Sequence, residues 1–154
     1  MIRLIGGAAV MLSCALAVSH ISSVEKIKIN KTETLISLIK RIRHEISCHS
    51  TPVEKILSSS KDILVSLGIN KEITDFSQLI SECEGICDNC EKVLKGFSAS
   101  LGKGYREEEI KTCDAALSEL ENIRKKLAES YPVKRKTTAA VCFAAGGALL
   151  IALL

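Results

Sequence analysis

Three cysteines lie close together in the middle of the chain and have the spacing of a ligand set. They are Cys83, Cys87 and Cys90, in the pattern Cys-x-x-x-Cys-x-x-Cys. Cysteine thiolates bind iron–sulfur clusters and zinc, whereas a free cysteine often acts as a small apolar side chain in a core. The pattern therefore leaves three alternatives open, which are metal binding, redox pairing and core packing.

The surroundings of these cysteines favour core packing. The same spacing holds a [4Fe–4S] cluster in radical S-adenosylmethionine enzymes, but those enzymes resemble an α/β barrel, and this chain has no alternating run of strand length. Zinc would need a fourth ligand, and the only histidines are His20, His44 and His49. We expect no metal and no cofactor. A small iron–sulfur or zinc-binding membrane protein is kept as the alternative.

Catalytic chemistry has one further candidate pair. His44 and Cys48 are four residues apart and would meet on one face of a helix. A nucleophile also needs groups that stabilise the reacting oxygen, and no glycine-rich turn accompanies this pair. The chain also has no phosphate-binding loop and no dinucleotide-binding motif. We therefore expect no catalytic residues and no enzyme activity.

Charge is distributed very unevenly along the 154 residues. Residues 25–136 hold all 18 acidic side chains and 20 of the 21 lysines and arginines, a net charge of +2, whereas residues 4–24 and 137–154 hold no Asp, Glu, Lys or Arg. This near-neutral middle, with only 3% aromatic residues, argues against a nucleic-acid-binding protein. The uncharged ends argue against a simple globular domain in water.

The two uncharged ends are predicted to be transmembrane helices. A helix of about 20 residues spans the hydrocarbon core of a bilayer, and the two segments are 21 and 18 residues long. Basic residues follow the first segment at Lys26 and Lys28 and precede the second at residues 134–136, which predicts a cytoplasmic location for residues 25–136. A cleaved signal peptide, or a lipoprotein cleaved before Cys14, is the alternative for the first segment.

The middle of the chain is predicted to be all α-helix, folded as a small antiparallel bundle. Helix-start signals occur at Asn30–Glu33, where a helix either begins or continues from the first segment, and at Thr51, Pro52 and Glu54. Further starts are expected at Asp75, Asp88 and Arg106, with stops at Gly68 and Pro132. The expected core positions recur at helical spacing: Leu35, Leu38, Ile39, Ile42, Ile46, Val53, Ile56, Leu57, Leu64, Leu67, Phe76, Leu79, Ile80, Cys83, Val93, Leu94, Phe97, Leu101, Ile110, Cys113, Leu117 and Leu120.

The order of these features resembles the stage III sporulation protein AB family. The resemblance rests on Glu45-Ile46 followed by Thr51-Pro52-Val53, then Phe97-x-x-x-Leu101-Gly102, and then the Glu/Lys-rich helix 107–129 with Leu117-x-x-Leu120-Glu121, between two terminal anchors. It spans nearly the whole chain and is best at residues 35–57 and 93–121. The family resembles the cytoplasmic helical domain of type II secretion system protein F.

This resemblance implies a non-enzymatic component of a channel-type or secretion-type complex in the mother-cell membrane around the forespore. The implied partners are other stage III sporulation proteins, including a secretion-type ATPase, and a homo-oligomer is possible on the same grounds. Neither nucleic acid nor a small-molecule substrate is expected. Candidate docking residues lie on the charged faces of the first and last bundle helices: Lys40, Arg41, Arg43, Glu107, Glu108 and Lys111.

Overall fold

The fold is all-α, as predicted. In a computed structural model, residues 2–49, 52–83 and 85–153 are described, without the side chains of residues 2–11, 149–150 and 152–153. No strand occurs among these described residues. The helices are α1 (Ile2–His49), α2 (Val53–Ser59), α3 (Lys61–Ser66), α4 (Phe76–Glu82), α5 (Asp88–Ser100) and α6 (Arg106–Leu153).

The chain divides into two compact units. The bundle consists of Lys28–Lys126, and the terminal unit consists of Met1–Ile27 together with Leu127–Leu154. Parts of α1 and α6 therefore belong to each unit. The predicted domain limits at residues 24/25 and 136/137 remain sequence predictions.

The bundle is built around one apolar core. Its centre is the face of α1 that carries Leu35, Leu38, Ile39, Ile42 and Ile46, all of them buried as predicted. Ile36 of α1 and side chains from the rest of the bundle are the remaining buried members: Ile56, Leu57, Leu64, Leu67, Ile69, Ile73, Phe76, Leu79, Cys83, Cys90, Leu94, Phe97, Cys113, Ala116, Leu117 and Leu120. The stripe at steps of three and four residues is thus a reliable indicator of which face packs inward.

One aromatic pair joins two of the short helices inside this core. The rings of Phe76 on α4 and Phe97 on α5 have centroids 5.2 Å apart and meet edge to face at 71°. Such a geometry places the positive edge of one ring against the negative face of the other. With so few aromatic residues in the chain, this pair supplies much of the bulk between α4 and α5.

The first helix begins before the Asn30–Glu33 signal and runs through it. Both residues lie inside α1, so the capping signal does not start a helix here. No proline or glycine lies between Gly7 and His49 to interrupt the helix. Instead of capping, the Glu33 carboxylate accepts a hydrogen bond from Arg124 on α6 at 2.8 Å.

The predicted start at residues 51–54 is partly wrong. Thr51 lies outside the described residues. Pro52 was expected to be the first helical residue, but its ψ of 142° is extended, and α2 begins at Val53. The Pro52 carbonyl accepts the N–H groups of Lys55 at 3.0 Å and Ile56 at 3.2 Å, so Pro52 occupies the N-cap position. Glu54 lies in the first turn, where a carboxylate is favoured by the helix dipole.

The stretch from Val53 to Leu67 forms two helices rather than one. Ser60 separates α2 from α3 with φ −99° and ψ 30°. Its buried hydroxyl donates a hydrogen bond to the Ile56 carbonyl at 2.7 Å, which provides a local alternative to the helical pattern. Gly68 then adopts φ +89°, which confirms the predicted left-handed stop after α3.

Pro132 does not end the last helix, contrary to the prediction. It lies inside α6, which continues to Leu153. Proline removes the hydrogen bond to the carbonyl four residues earlier. Here both Pro132 and Ala128 are exposed, so water can satisfy the freed Ala128 carbonyl. The predicted starts of α4 after Asp75 and of α6 at Arg106 are confirmed.

The terminal unit contains contacts between the two chain ends. The thiol of Cys14 donates to the carbonyl of Cys142 at 3.3 Å, and the hydroxyls of Ser22 and Tyr131 lie 2.9 Å apart.

Across the residues that the structure describes, none of the helices contains a stretch long and apolar enough to cross a membrane. The predicted segments 4–24 and 137–154 include residues whose side chains lie outside that description.

The central position of the α1 stripe yields a stability prediction. Leu38 is 0% exposed, and Leu38→Ala should lower the free energy of unfolding by about 2–5 kcal/mol, because it removes buried methyl groups and leaves a cavity. Val65→Ala, at a side chain that is 58% exposed, should change it by less than about 0.5 kcal/mol. Denaturant unfolding of the full chain measures both. Equal effects of the two substitutions would contradict the assigned core.

Candidate functional sites: a charged α1–α6 face and a cysteine cluster

Three of the predicted docking residues lie on α1, and all three make contacts within the bundle. Lys40 forms an ion pair with Glu121 on α6, with Nζ 3.0 Å from Oε1. Arg41 donates through Nη2 to the carbonyl of Ser59 at 3.2 Å. Arg43 binds both carboxylate oxygens of Asp114 on α6, at 2.5 Å from Nε and 3.3 Å from Nη2. These residues therefore help to join helices.

The ion pairs between α1 and α6 follow a consistent order. Glu33 pairs with Arg124, Lys40 with Glu121 and Arg43 with Asp114, so higher numbers on α1 match lower numbers on α6. We call these three pairs the α1–α6 ion pairs. The order is that of two antiparallel helices, and it fixes their register. Because the side chains are substantially exposed, water screens the attraction and the pairs add little stability.

The electrostatics of the Arg43–Asp114 pair agree with its geometry. The pKa of Arg43 is raised, first by the hydrogen bond to Asp114 and second by the charge of that carboxylate. A two-point contact of this kind matches the planar guanidinium to both carboxylate oxygens. Sequence reasoning identified Arg43 but missed Asp114, whose role depends on the helix packed opposite.

The other three docking candidates lie in the first turns of α6. Glu108 accepts the backbone N–H of Tyr105 at 3.2 Å through Oε2, the return contact of a capping box. Glu107 and Lys111 are exposed. Among the six docking candidates, Glu107 and Lys111 are thus the two for which the described residues give no role inside the bundle.

The cysteine cluster lies where α4 ends and α5 begins. Cys83 is the C-cap residue of α4, and Cys87 is the N-cap residue of α5. Cys87 and Cys90 are joined by a disulfide, and Cys83 is a buried free thiol. Burial raises the pKa of the Cys83 thiol, against a smaller opposing effect of the Lys31 charge. The predicted start of α5 at Asp88 is confirmed, and the Cys87 sulfur takes the N-cap position.

The disulfide changes what these three cysteines can do. A bonded pair of sulfurs is not a pair of thiolate ligands. Within the described ranges, no group of three or more His, Cys, Asp or Glu side chains is arranged to hold a metal ion. Metal binding by Cys83, Cys87 and Cys90, the alternative that the sequence leaves open, has no geometric observation in the described residues that favours it.

His44 and Cys48 come together as their spacing predicts. The Cys48 Sγ lies 3.8 Å from His44 Nδ1 in the last turns of α1, and both side chains are exposed. An exposed pair at a helix end does not enclose a substrate or exclude water. The arrangement gives no geometric reason to assign catalysis to these two residues.

Cys113 gives a pH-dependent prediction. Burial, followed by the charges of Asp114 and Glu109, raises its pKa to about 11. An unfolded thiol titrates near 8.5. Above about pH 8.5 the unfolded chain loses this proton while the folded chain keeps it, which favours unfolding. The contribution of Cys113 to the free energy of unfolding is therefore full only below about pH 8.5. It should decline until about pH 11.

Denaturant unfolding across this range, in the wild-type chain and in Cys113→Ala, measures the effect. The variant should show a smaller fall in unfolding free energy. Leu117→Ala is the matched control, since it weakens the same helix without removing a thiol and should keep the wild-type pH dependence. An identical fall in the wild-type chain and in Cys113→Ala would refute the assignment.

Comparison of the chain with protein-family models, with curated proteins and with solved structures finds no match.

Proposed function

We propose that this chain is a membrane-anchored, non-enzymatic component of a sporulation-specific secretion-type or channel-type complex. In this proposal the terminal unit anchors the chain in the mother-cell membrane around the forespore. The bundle lies on the cytoplasmic side and is a platform for a secretion-type ATPase. The resemblance to stage III sporulation protein AB supplies the biological setting, and the physical properties of the two units support the mechanical role.

The observation that carries the membrane proposal is the surface of the terminal unit. Its large apolar side chains are exposed, among them Leu12, Leu16, Val141, Phe143 and Ile151. Contacts between its two helical segments, in contrast, include polar groups: the Cys14 thiol bonds to the Cys142 carbonyl, and the Ser22 hydroxyl bonds to the Tyr131 hydroxyl. In water this arrangement would leave many large apolar side chains in contact with solvent. In a bilayer, lipid covers the apolar side chains while polar groups join the helices.

The positions of charged residues support the orientation. Glu25, the first charged residue after the first uncharged segment, forms an ion pair at 3.4 Å with Lys134, which begins the basic run 134–136 before the second segment. Lys26, Arg135 and Lys136 lie beside them and are exposed. Basic residues of this kind are enriched on the cytoplasmic side of transmembrane helices. Both chain ends are then on the opposite side of the membrane.

The platform role is assigned to the start of α6. Lys40 and Arg43 pair with side chains of α6, and Arg41 binds the end of α2, so these three cations already have partners within the bundle. Glu107 and Lys111 are exposed one helical turn apart on α6. Charged residues at the edge of an interface guide association and orientation more than they add affinity. We therefore place the ATPase contact at this turn.

Topology is tested by cysteine labelling in intact cells. The reporters are Ile2→Cys at one end and the exposed Cys48 in the bundle, each in a chain whose other cysteines are serine. In vegetative cells that produce the chain in the plasma membrane, a membrane-impermeant maleimide should label Ile2→Cys in intact cells and Cys48 only after permeabilisation. Cys48 is the suitable bundle reporter because its thiol is exposed, whereas Cys83 is buried. Labelling of Cys48 in intact cells would overturn the proposed orientation.

The docking assignment is tested by charge reversal. The double variant Glu107→Lys with Lys111→Glu should bind the ATPase about tenfold more weakly, equivalent to about 1.4 kcal/mol. The matched control is Lys61→Glu with Glu72→Lys, which reverses an exposed ion pair elsewhere in the bundle. Affinity is measured with the full chain in detergent or nanodiscs. Unchanged binding of the α6 variant, or equal loss in the control, would contradict docking at this turn.

A further inference from the structure

We propose that Cys87 and Cys90 form a thiol–disulfide exchange site, which accepts electrons from a partner that carries an exposed dithiol. Cys87 is the sulfur that the partner attacks, and Cys90 is the sulfur that leaves. This proposal concerns the α4–α5 junction and is independent of the membrane and platform roles.

The first argument is the difference in access between the two sulfurs. Cys87 is half-buried at the N-cap position of α5, whereas Cys90 is 0% exposed in the first turn of the same helix. Asp88 and Asn89, the two residues between them, are exposed. Exchange requires an incoming thiolate to reach a sulfur in line with the bond that breaks. Only the Cys87 side offers such access.

The second argument is the environment of Cys87 after the bond breaks. Its sulfur accepts the backbone N–H of Cys90 at 3.2 Å. The N-terminus of a helix favours a negative group, and α5 has 13 residues. The carboxylates of Asp88 and Glu91 in the first turn oppose this effect. Glu91 forms an ion pair with Lys95 at 2.6 Å, and the lysine charge reduces the repulsion between the Glu91 carboxylate and a Cys87 thiolate.

The third argument is that the core already contains a partner for a reduced Cys90. The buried hydroxyl of Thr32 on α1 lies 3.4 Å from Cys90 Sγ. The same hydroxyl donates its proton to the Lys28 carbonyl at 2.8 Å, so its oxygen can accept an S–H from Cys90. Reduction therefore leaves no buried polar group unpaired at this position.

The exchange balances as two successive steps. A thiolate of the partner dithiol attacks Cys87 Sγ, which forms a mixed disulfide and breaks the Cys87–Cys90 bond, and Cys90 leaves as a thiolate and takes up a proton. The second thiol of the partner then loses its proton and attacks the partner's own sulfur in the mixed disulfide, and Cys87 is released as a thiolate. Two electrons and one proton pass from the partner, which starts as one thiolate and one thiol, to this chain, which ends with Cys90 as a thiol and Cys87 as a thiolate, and the partner becomes a disulfide.

Dithiothreitol is the probe for the first experiment. The folded full chain is equilibrated at a series of ratios of reduced to oxidised dithiothreitol, quenched with N-ethylmaleimide and mapped by mass spectrometry. We expect Cys87 and Cys90 to be alkylated together as the ratio rises, with the helical signal in circular dichroism unchanged. A pair that stays bonded in folded protein, and opens only on denaturation, would show a purely structural disulfide and overturn the proposal.

Single-cysteine exchange with oxidised glutathione tests which sulfur reacts. In Cys90→Ser, Cys87 should form a glutathione mixed disulfide at least tenfold faster than Cys48, which is exposed but lies at the C-terminal end of α1. In Cys87→Ser, the buried Cys90 should react at least tenfold more slowly than Cys87 does in Cys90→Ser. Equal rates in either comparison would overturn the assigned roles. Circular dichroism of both variants confirms that each remains folded.

Discussion

The contact on which the bundle depends is the packing of the apolar stripe of α1 against the other helices. Leu35, Leu38, Ile39 and Ile42 are fully buried, and each of the shorter helices contributes side chains to the same core. Most of the stability of helices this short comes from tertiary packing rather than from intrinsic propensity. The short helices α2 to α5 therefore hold their places because α1 and α6 provide a surface to pack on.

Two kinds of interaction are superimposed on this core, and they have different consequences. The α1–α6 ion pairs fix register but contribute little energy, because water screens them. The Cys87–Cys90 bond acts locally, since it joins the N-cap residue of α5 to the first turn of the same helix. Removing an ion pair should thus weaken alignment, whereas reducing the disulfide changes the chemistry of one junction.

The sequence was sufficient where a pattern depends on one helix alone. The burial of the stripe from Leu35 to Ile46 follows from spacing, and the left-handed turn at Gly68 follows from the residue type. Prediction failed where exposure to water or a side-chain bond, rather than the spacing of apolar residues, decides the outcome. Pro132 is tolerated because its neighbours are exposed, and Ser60 breaks a helix through its own buried hydroxyl. The bond between Cys87 and Cys90 depends on the turn that brings the two sulfurs together, which spacing left open among three alternatives.

The central claim is that a helical bundle is held at a membrane by its two chain ends. The most direct measurement is alkaline carbonate extraction of membranes from sporulating cells that produce the full chain, followed by detection in pellet and supernatant. The account predicts that the chain stays in the membrane pellet after carbonate and is released only by detergent, because apolar side chains of the terminal unit contact lipid. Release of the chain by carbonate alone would contradict the claim.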